Sequence, residues 1–268
     1  MADPSLEPQK PSEARKLARE IVMSSVVGFS IHAMEEMAKD DLQSTDCLNL
    51  LRAGVFGPAE YTNREWRYRV ETPRICIVVA FASERELRSN GMEDQMMKCD
   101  DCGSPLTKER NAVRRYEIGG LAHVELHGVE VTSCHACGKE GIAIPRIGQL
   151  HRVLAEAFVT QRRMLAHPEI RFLRKHIGLS GVEFAQRMGV ARETVSRWET
   201  GAYPMGATAD RLLRLLVVTH EPTESYAVDD FLLLLDDEAA PTRLLSVPIW
   251  NSAVKGWTAR ERPELEMA

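Results

Sequence analysis

Two short stretches, CDDCG at Cys99–Gly103 and CHACG at Cys134–Gly138, constrain this chain more than any other feature. Each is a Cys-x-x-Cys turn followed by glycine, a spacing that lets two thiolates converge while the glycine relieves crowding in the turn. A tetrahedral zinc ion takes four soft ligands, so the two knuckles together supply a complete shell from Cys99, Cys102, Cys134 and Cys137. A redox-active pair, by contrast, uses one such motif placed between a strand and a helix and has no need of a second. One structural Zn2+ per chain is therefore expected, with no open position for catalysis. His135 lies inside the second knuckle and is read as a solvated residue, since four sulfurs already complete the shell. Cys47 and Cys76 sit in apolar surroundings and are read as core packing.

The segment between the knuckles contains Val113–Ile118 and His123–Thr132, which are rich in β-branched residues and partly alternate, as strands of a small metal-supported sheet would. At 268 residues the chain is long enough for two or three compact units. Apolar runs such as Ile75–Ala82 and Phe231–Leu235 are too short to cross a bilayer, so no membrane association is expected. The opening MADPSLEPQKPSEARK is polar and lacks the apolar centre of a secretory signal, which points to a reducing cytoplasm where cysteines are thiols or ligands.

Downstream, Pro168 opens a helix that places Ile170, Leu173 and Ile177 on one face and ends at Gly178. Ser180 and Glu183 then form a capping box, and Phe184, Ala185 and Met188 carry an apolar face to Gly189. After the break at Gly189–Ala191 comes RETVSRWETG, with Val195 and Trp198 inward and Arg192, Glu193, Thr194, Ser196 and Arg197 available to the outside. Small Ala185 at the crossing and Gly189 in the turn complete a helix-turn-helix pattern, whose second helix enters the major groove of double-stranded DNA. A helical hairpin in a bundle is the competing reading, and charge helps to choose. Between Ile170 and Leu216 stand Arg171, Arg174, Lys175, Arg187, Arg192, Arg197, Arg211 and Arg214 against Glu183, Glu193, Glu199 and Asp210, while the whole chain has a net charge of -5. Positive charge gathered on one module of an acidic protein suits a phosphate-binding footprint. Between the two modules, Ile147–Met164 reads as an amphipathic helix with Leu150, Val153, Leu154 and Phe158 as its stripe, either core or a dimer contact.

The cysteine ribbon, then IPRIGQLHRVLAEAF, then IRFLRKHIGLSGVEFAQRMGVARETVSRWETG resembles the YgiT/MqsA-type antitoxins of bacterial toxin–antitoxin systems, over about Lys98–His220. The resemblance implies a zinc-binding part that meets a toxin, and a helix-turn-helix part that forms a homodimer on a palindromic operator and represses its own transcription. It also implies Ser196 and Arg197 in the recognition helix, with Arg197 suited to a bidentate guanine contact. Where that family can carry Asn near the start of the helix, this chain has Arg192–Glu193.

Ahead of the ribbon, Arg15–Ser24, His32–Lys39 and Ser44–Ala53 read as helices, the last capped by Ser44 or Thr45, and Arg67–Val70 and Ile75–Phe81 as strands. IHAMEEMAKDD and WRYRVETPRICIVVAF resemble the small RelE/MqsR-like toxin domains, which implies a toxin-like domain fused ahead of its antitoxin. Such ribonucleases cleave RNA without metal, and the candidates here are His32, Arg67, Tyr68 and Arg69; Glu36 is read as solvated. Strand alternation sets Arg67 and Arg69 on one face and Tyr68 on the other. The expected architecture is α+β and multidomain: a toxin-type α+β domain at 12–90, a four-cysteine zinc domain at 97–145, a linker helix with an all-α helix-turn-helix domain at 146–220, and an extension at 221–268. That extension, with its FLLLL cluster and IWNSAVKGW, reads as a partner-binding arm or as partly disordered.

Overall fold

The structure, a computed structural model, describes residues 10–62, 65–81, 98–99, 102–220 and 246–261. The FLLLL cluster and residues 82–90 of the toxin-type segment lie outside these. The chain divides into two compact units, residues 1–110 with 130–147 and residues 111–129 with 148–268. Among the described residues, no helix is long and apolar enough to cross a membrane.

The first unit begins with α1 (Pro11–Ser24), where proline occupies the first turn and Ala14, Ala18 and Val22 recur at four-residue spacing on the buried side. After β1 (Val26–Phe29), Ser30 caps α2 (Ile31–Lys39) by accepting from the Ala33 amide at 3.2 Å. In α3 (Ser44–Ala53) the cap is one residue earlier than expected: the Asp46 carboxylate accepts from the Gln43 amide at 2.8 Å. Ser44 and Thr45 lie inside the helix and are buried, because Cys47, Leu48 and Leu51 draw that turn into the core. Arg15 and Arg19 reach across from α1 to the Arg52 carbonyl, where the last turn of α3 leaves acceptors unpaired.

Strands β2 (Val55–Thr62), β3 (Glu65–Glu71) and β4 (Cys76–Ala80) form an antiparallel sheet in that order. Phe56, Tyr68 and Val70 fill its inner side. Cys47 is buried, but Cys76 is exposed and not core packing: it pairs with Glu71, whose side of the sheet faces water. Separately, β1 runs antiparallel to β7 (Glu140–Pro145), from Val26 opposite Pro145 to Phe29 opposite Ile142. Residues 130–133 of β6 (Leu121–Cys134) flank the other side of β7. The N-terminal helices and the cysteine knuckles thus share one unit, because β1 finds its partner more than a hundred residues downstream.

Strand β5 (Leu106–Tyr116) pairs with β6; β6 extends beyond the range read from the sequence at both ends, whereas β5 begins before Val113 but stops at Tyr116, and Ile118 lies in a short 3-10 turn at Glu117–Gly119. The rest of the second unit is helical up to His220. The linker helix is α4 (Ile147–Thr160), four residues shorter than expected. Its stripe faces its own core: Leu150, Leu154 and Phe158 are buried and Val153 half-buried, which removes these residues as a dimer contact. Then follow α5 (His167–His176), α6 (Gly181–Met188), α7 (Arg192–Thr200) and α8 (Ala207–His220). Arg214 of α8, fully buried, donates to the carbonyls of Val159, Gln161 and Arg163 at 2.7–2.9 Å, placing a cation where α4 ends and its acceptors are unpaired. Asp210 pairs with Arg214 and accepts from the Leu165 amide at 2.7 Å, so one turn of α8 fixes the connection between α4 and α5.

The expected arm or disordered tail is, over 246–261, a hairpin of β8 (Ser246–Asn251) and β9 (Gly256–Glu261). It joins β6 where His127 pairs with Ile249. Gly128 makes this approach possible, since its φ is +89° and a Cβ there would stand 2.9 Å from Cβ of Trp250.

Candidate metal centre and nucleic-acid interface

The described ends of the two knuckles repeat the same backbone hydrogen bonds. Cys99 N–H donates to the Ser104 carbonyl at 2.8 Å and Gly103 N–H to the Cys99 carbonyl at 2.8 Å; Cys134 and Gly138 repeat the pattern with Lys139 at 2.9 and 2.8 Å. Gly103 and Gly138 both have positive φ, +68° and +72°, which is why glycine closes each motif. The turns bring the sulfurs of Cys99, Cys102, Cys134 and Cys137 within 4.8 Å of one another. Cys99 to Cys137 is 3.7 Å and Cys102 to Cys134 is 3.4 Å. Metal–sulfur bonds of about 2.3 Å in a tetrahedron give sulfur–sulfur edges of about 3.8 Å, so the donor set fits a tetrahedral ion. The group is therefore able to hold a metal.

Electrostatics point the same way. Hydrogen bonds from the Ser104 side chain and amide hold the Cys102 thiol at about 6. The Lys139 amide pulls Cys137 down, but burial and the Cys134, Cys99 and Cys102 sulfurs together push it up to about 12. Four sulfurs this close do not all ionise without a cation among them. Cys99 and Cys134 are buried against Ile31 of α2, with Leu106 alongside. Lys139 in the second knuckle also pairs with Glu35 of α2 at 2.6 Å. His135 stays outside the group and meets the Thr107 hydroxyl at 3.1 Å.

In the helix-turn-helix segment, Ser180 accepts from the Glu183 amide at 3.2 Å and Glu183 from the Ser180 amide at 2.8 Å, the expected capping box. These hydrogen bonds lower the Glu183 carboxyl. Gly189 ends α6 at φ +67°, and Val195 and Trp198 bury α7 against its neighbours. Arg192, Glu193, Ser196 and Arg197 are exposed on the outer side of α7, and Thr194 is half-buried.

The charge of the segment is distributed differently from the sequence reading. Arg174 is buried in a pair with Glu199, Arg214 is buried with Asp210, and Lys175 is buried as well. These residues are not part of a phosphate-facing surface. Each buried arginine withdraws one acid with it, so the local positive excess survives, carried by Arg187, Arg192, Arg197 and Arg211, all exposed.

Residues 170–221 match the helix-turn-helix family. No curated protein and no solved structure matches the chain. The match runs from within α5 to the end of α8 and suggests a DNA-binding transcription regulator.

The four residues assembled for RNA cleavage do not share one surface. Tyr68 is 2% exposed and packs on Phe81, whereas Arg67 and Arg69 point to the other side of β3, Arg67 pairing with Glu65 at 2.6 Å. His32 lies exposed on α2. Glu36 is exposed and paired with Lys39 at 2.6 Å, which lowers its carboxyl.

A buried polar cluster around Glu169 had no signal in the sequence. Arg163, His123 and Gln161 surround its carboxylate, with the Ala166 amide donating at 2.8 Å. Burial raises the Glu169 carboxyl, but His123, Arg163 and the Ala166 amide outweigh it and hold the group at about 2. The cluster secures the start of α5.

Proposed function

We propose that this protein is a sequence-specific transcription regulator of the antitoxin type, a homodimer that reads a palindromic operator through α7 and represses its own transcription. The observation that carries this reading is the two-sidedness of α7: Val195 and Trp198 are buried while Arg192, Glu193, Ser196 and Arg197 are exposed on a segment with excess positive charge. An exposed helix with arginine at i and i+5 suits entry into a groove lined by phosphates, with base edges within reach. Pairing through two-fold symmetry follows the way single helix-turn-helix units generally double their contacts on two half-sites.

In this reading the knuckles hold zinc through Cys99, Cys102, Cys134 and Cys137. Bound there, the ion supplies a tetrahedral cross-link between the two turns and no chemistry on a substrate. The α+β part of the first unit is the toxin-like element of a fused toxin and antitoxin, docked on the knuckles through Ile31 and Glu35.

Gel-shift titrations of the intact chain on the DNA upstream of its own coding sequence test the regulator reading. Arg197→Ala is expected to bring specific binding close to the non-specific level, a loss of about tenfold or more for one guanine contact. Equal affinity of the wild-type chain for promoter and random duplex would end it.

A further inference from the structure

We infer that Glu193 selects cytosine in each operator half-site. The inference rests on the duplex-reading assignment of α7 and specifies what one of its residues recognises. Glu193 is exposed in the first turn of α7, beside Arg192 and one turn before Arg197. Among the described residues it takes part in no ion pair and no side-chain hydrogen bond, although Arg197 stands at the i+4 position where a glutamate usually finds its partner. Among the described residues the carboxylate is thus unpaired on the outer side of the helix, between the exposed guanidinium groups of Arg192 and Arg197.

Near DNA such a group is selective by default. The phosphates repel it, so facing the groove is unfavourable unless a donor meets it. In the major groove the donors are the amino groups of cytosine and adenine. Adenine N6 stands beside N7, an acceptor that repels a carboxylate, whereas cytosine N4 has only the C5–H edge next to it. A carboxylate flanked by arginines therefore favours a C·G pair, the arginines taking guanine O6 and N7 nearby and the glutamate taking N4. Glutamate at the start of a helix also stabilises the helix dipole without any DNA, a role that would leave base preference untouched.

Selection of binding sites from a random duplex pool, using the intact chain, separates the two. The wild-type motif is expected to contain a C·G pair whose preference falls about tenfold in Glu193→Ala, with the remaining positions retained. Glu193→Gln should shift that position toward A·T, because an amide both donates to N7 and accepts from N6 of adenine. A motif identical in wild type and Glu193→Ala overturns the inference while leaving the regulator reading intact, and so does a loss that falls on an A·T pair. Absence of any wild-type motif removes the regulator reading and this inference together.

Discussion

Arg174 and Glu199 lock α5, the first helix of the helix-turn-helix segment, to α7: the guanidinium of Arg174 donates with two nitrogens to the carboxylate of Glu199, Nη2 to Oε2 at 3.0 Å. The same guanidinium reaches the Leu179 carbonyl at 2.7 Å, so α5, the turn that follows it and α7 meet at one side chain. Both partners are largely buried, at 10% and 13% exposure. Removing one leaves the other charge without compensation. Arg174→Ala is expected to destabilise the chain by about 3 kcal/mol, and the double change Arg174→Met with Glu199→Leu to recover most of that loss. Urea unfolding of the single and double variants measures both values.

Metal should stabilise the first unit beyond the knuckles themselves. Because Ile31 packs on Cys99 and Cys134, releasing an ion from the sulfurs loosens the seat of α2. Elemental analysis is expected to give about one zinc per chain, as one tetrahedral four-sulfur site requires. Cys134→Ser should lose the metal and lower the melting temperature, whereas Cys47→Ser and Cys76→Ser keep it. Retention of zinc by Cys134→Ser would contradict the four-sulfur assignment.

Gly141 is a second test of how the N-terminal helices are tied to the ribbon. A Cβ at this position would lie 2.9 Å from the Phe29 carbonyl and 3.3 Å from the Ile31 amide, both backbone atoms that move only if β1 shifts. Gly141→Ala is expected to cost about 1–3 kcal/mol through this overpacking and to speed amide exchange across Val26–Phe29. Hydrogen exchange at those amides reads the effect directly.

Glu169 sets an acid limit on the second unit. Its carboxyl titrates at about 2 in the fold against an ordinary 4.5, so the folded state binds its proton less readily than the unfolded chain does. The stabilisation is fully present above about pH 4.5 and is lost as pH falls toward 2, amounting to about 3 kcal/mol. Glu169→Gln should be less stable than wild type at pH 7 and show a shallower fall of the urea midpoint between pH 5 and pH 2.5. Parallel pH profiles for the two proteins would show that Glu169 is not the group responsible.

Local chemistry was legible in the sequence wherever it closes within a few residues. Both Cys-x-x-Cys-Gly motifs, the Ser180–Glu183 box and the inward placing of Val195 and Trp198 are decided by neighbours three to five positions away. The same holds for the opposed faces of Tyr68 and Arg69. By contrast, β1 and the hairpin of β8 and β9 are short and carry weak patterns of their own, and each is stabilised by a strand far away in the chain.

Formal charge was the least transferable signal, because a count treats Arg174 and Arg214 like Arg192 and Arg197. The fold buries the first two beside Glu199 and Asp210 and leaves the last two in water. Residue order was enough to establish the two Cys-x-x-Cys-Gly motifs and the capped helix pair that follows, since those interactions are local. Long-range packing was needed to sort the arginines that hold the helices together from those that face outward, and to pick the strand that joins the N-terminal helices to the ribbon. Those outcomes depend on desolvation and on pairing between segments that are distant along the chain, which no local pattern encodes.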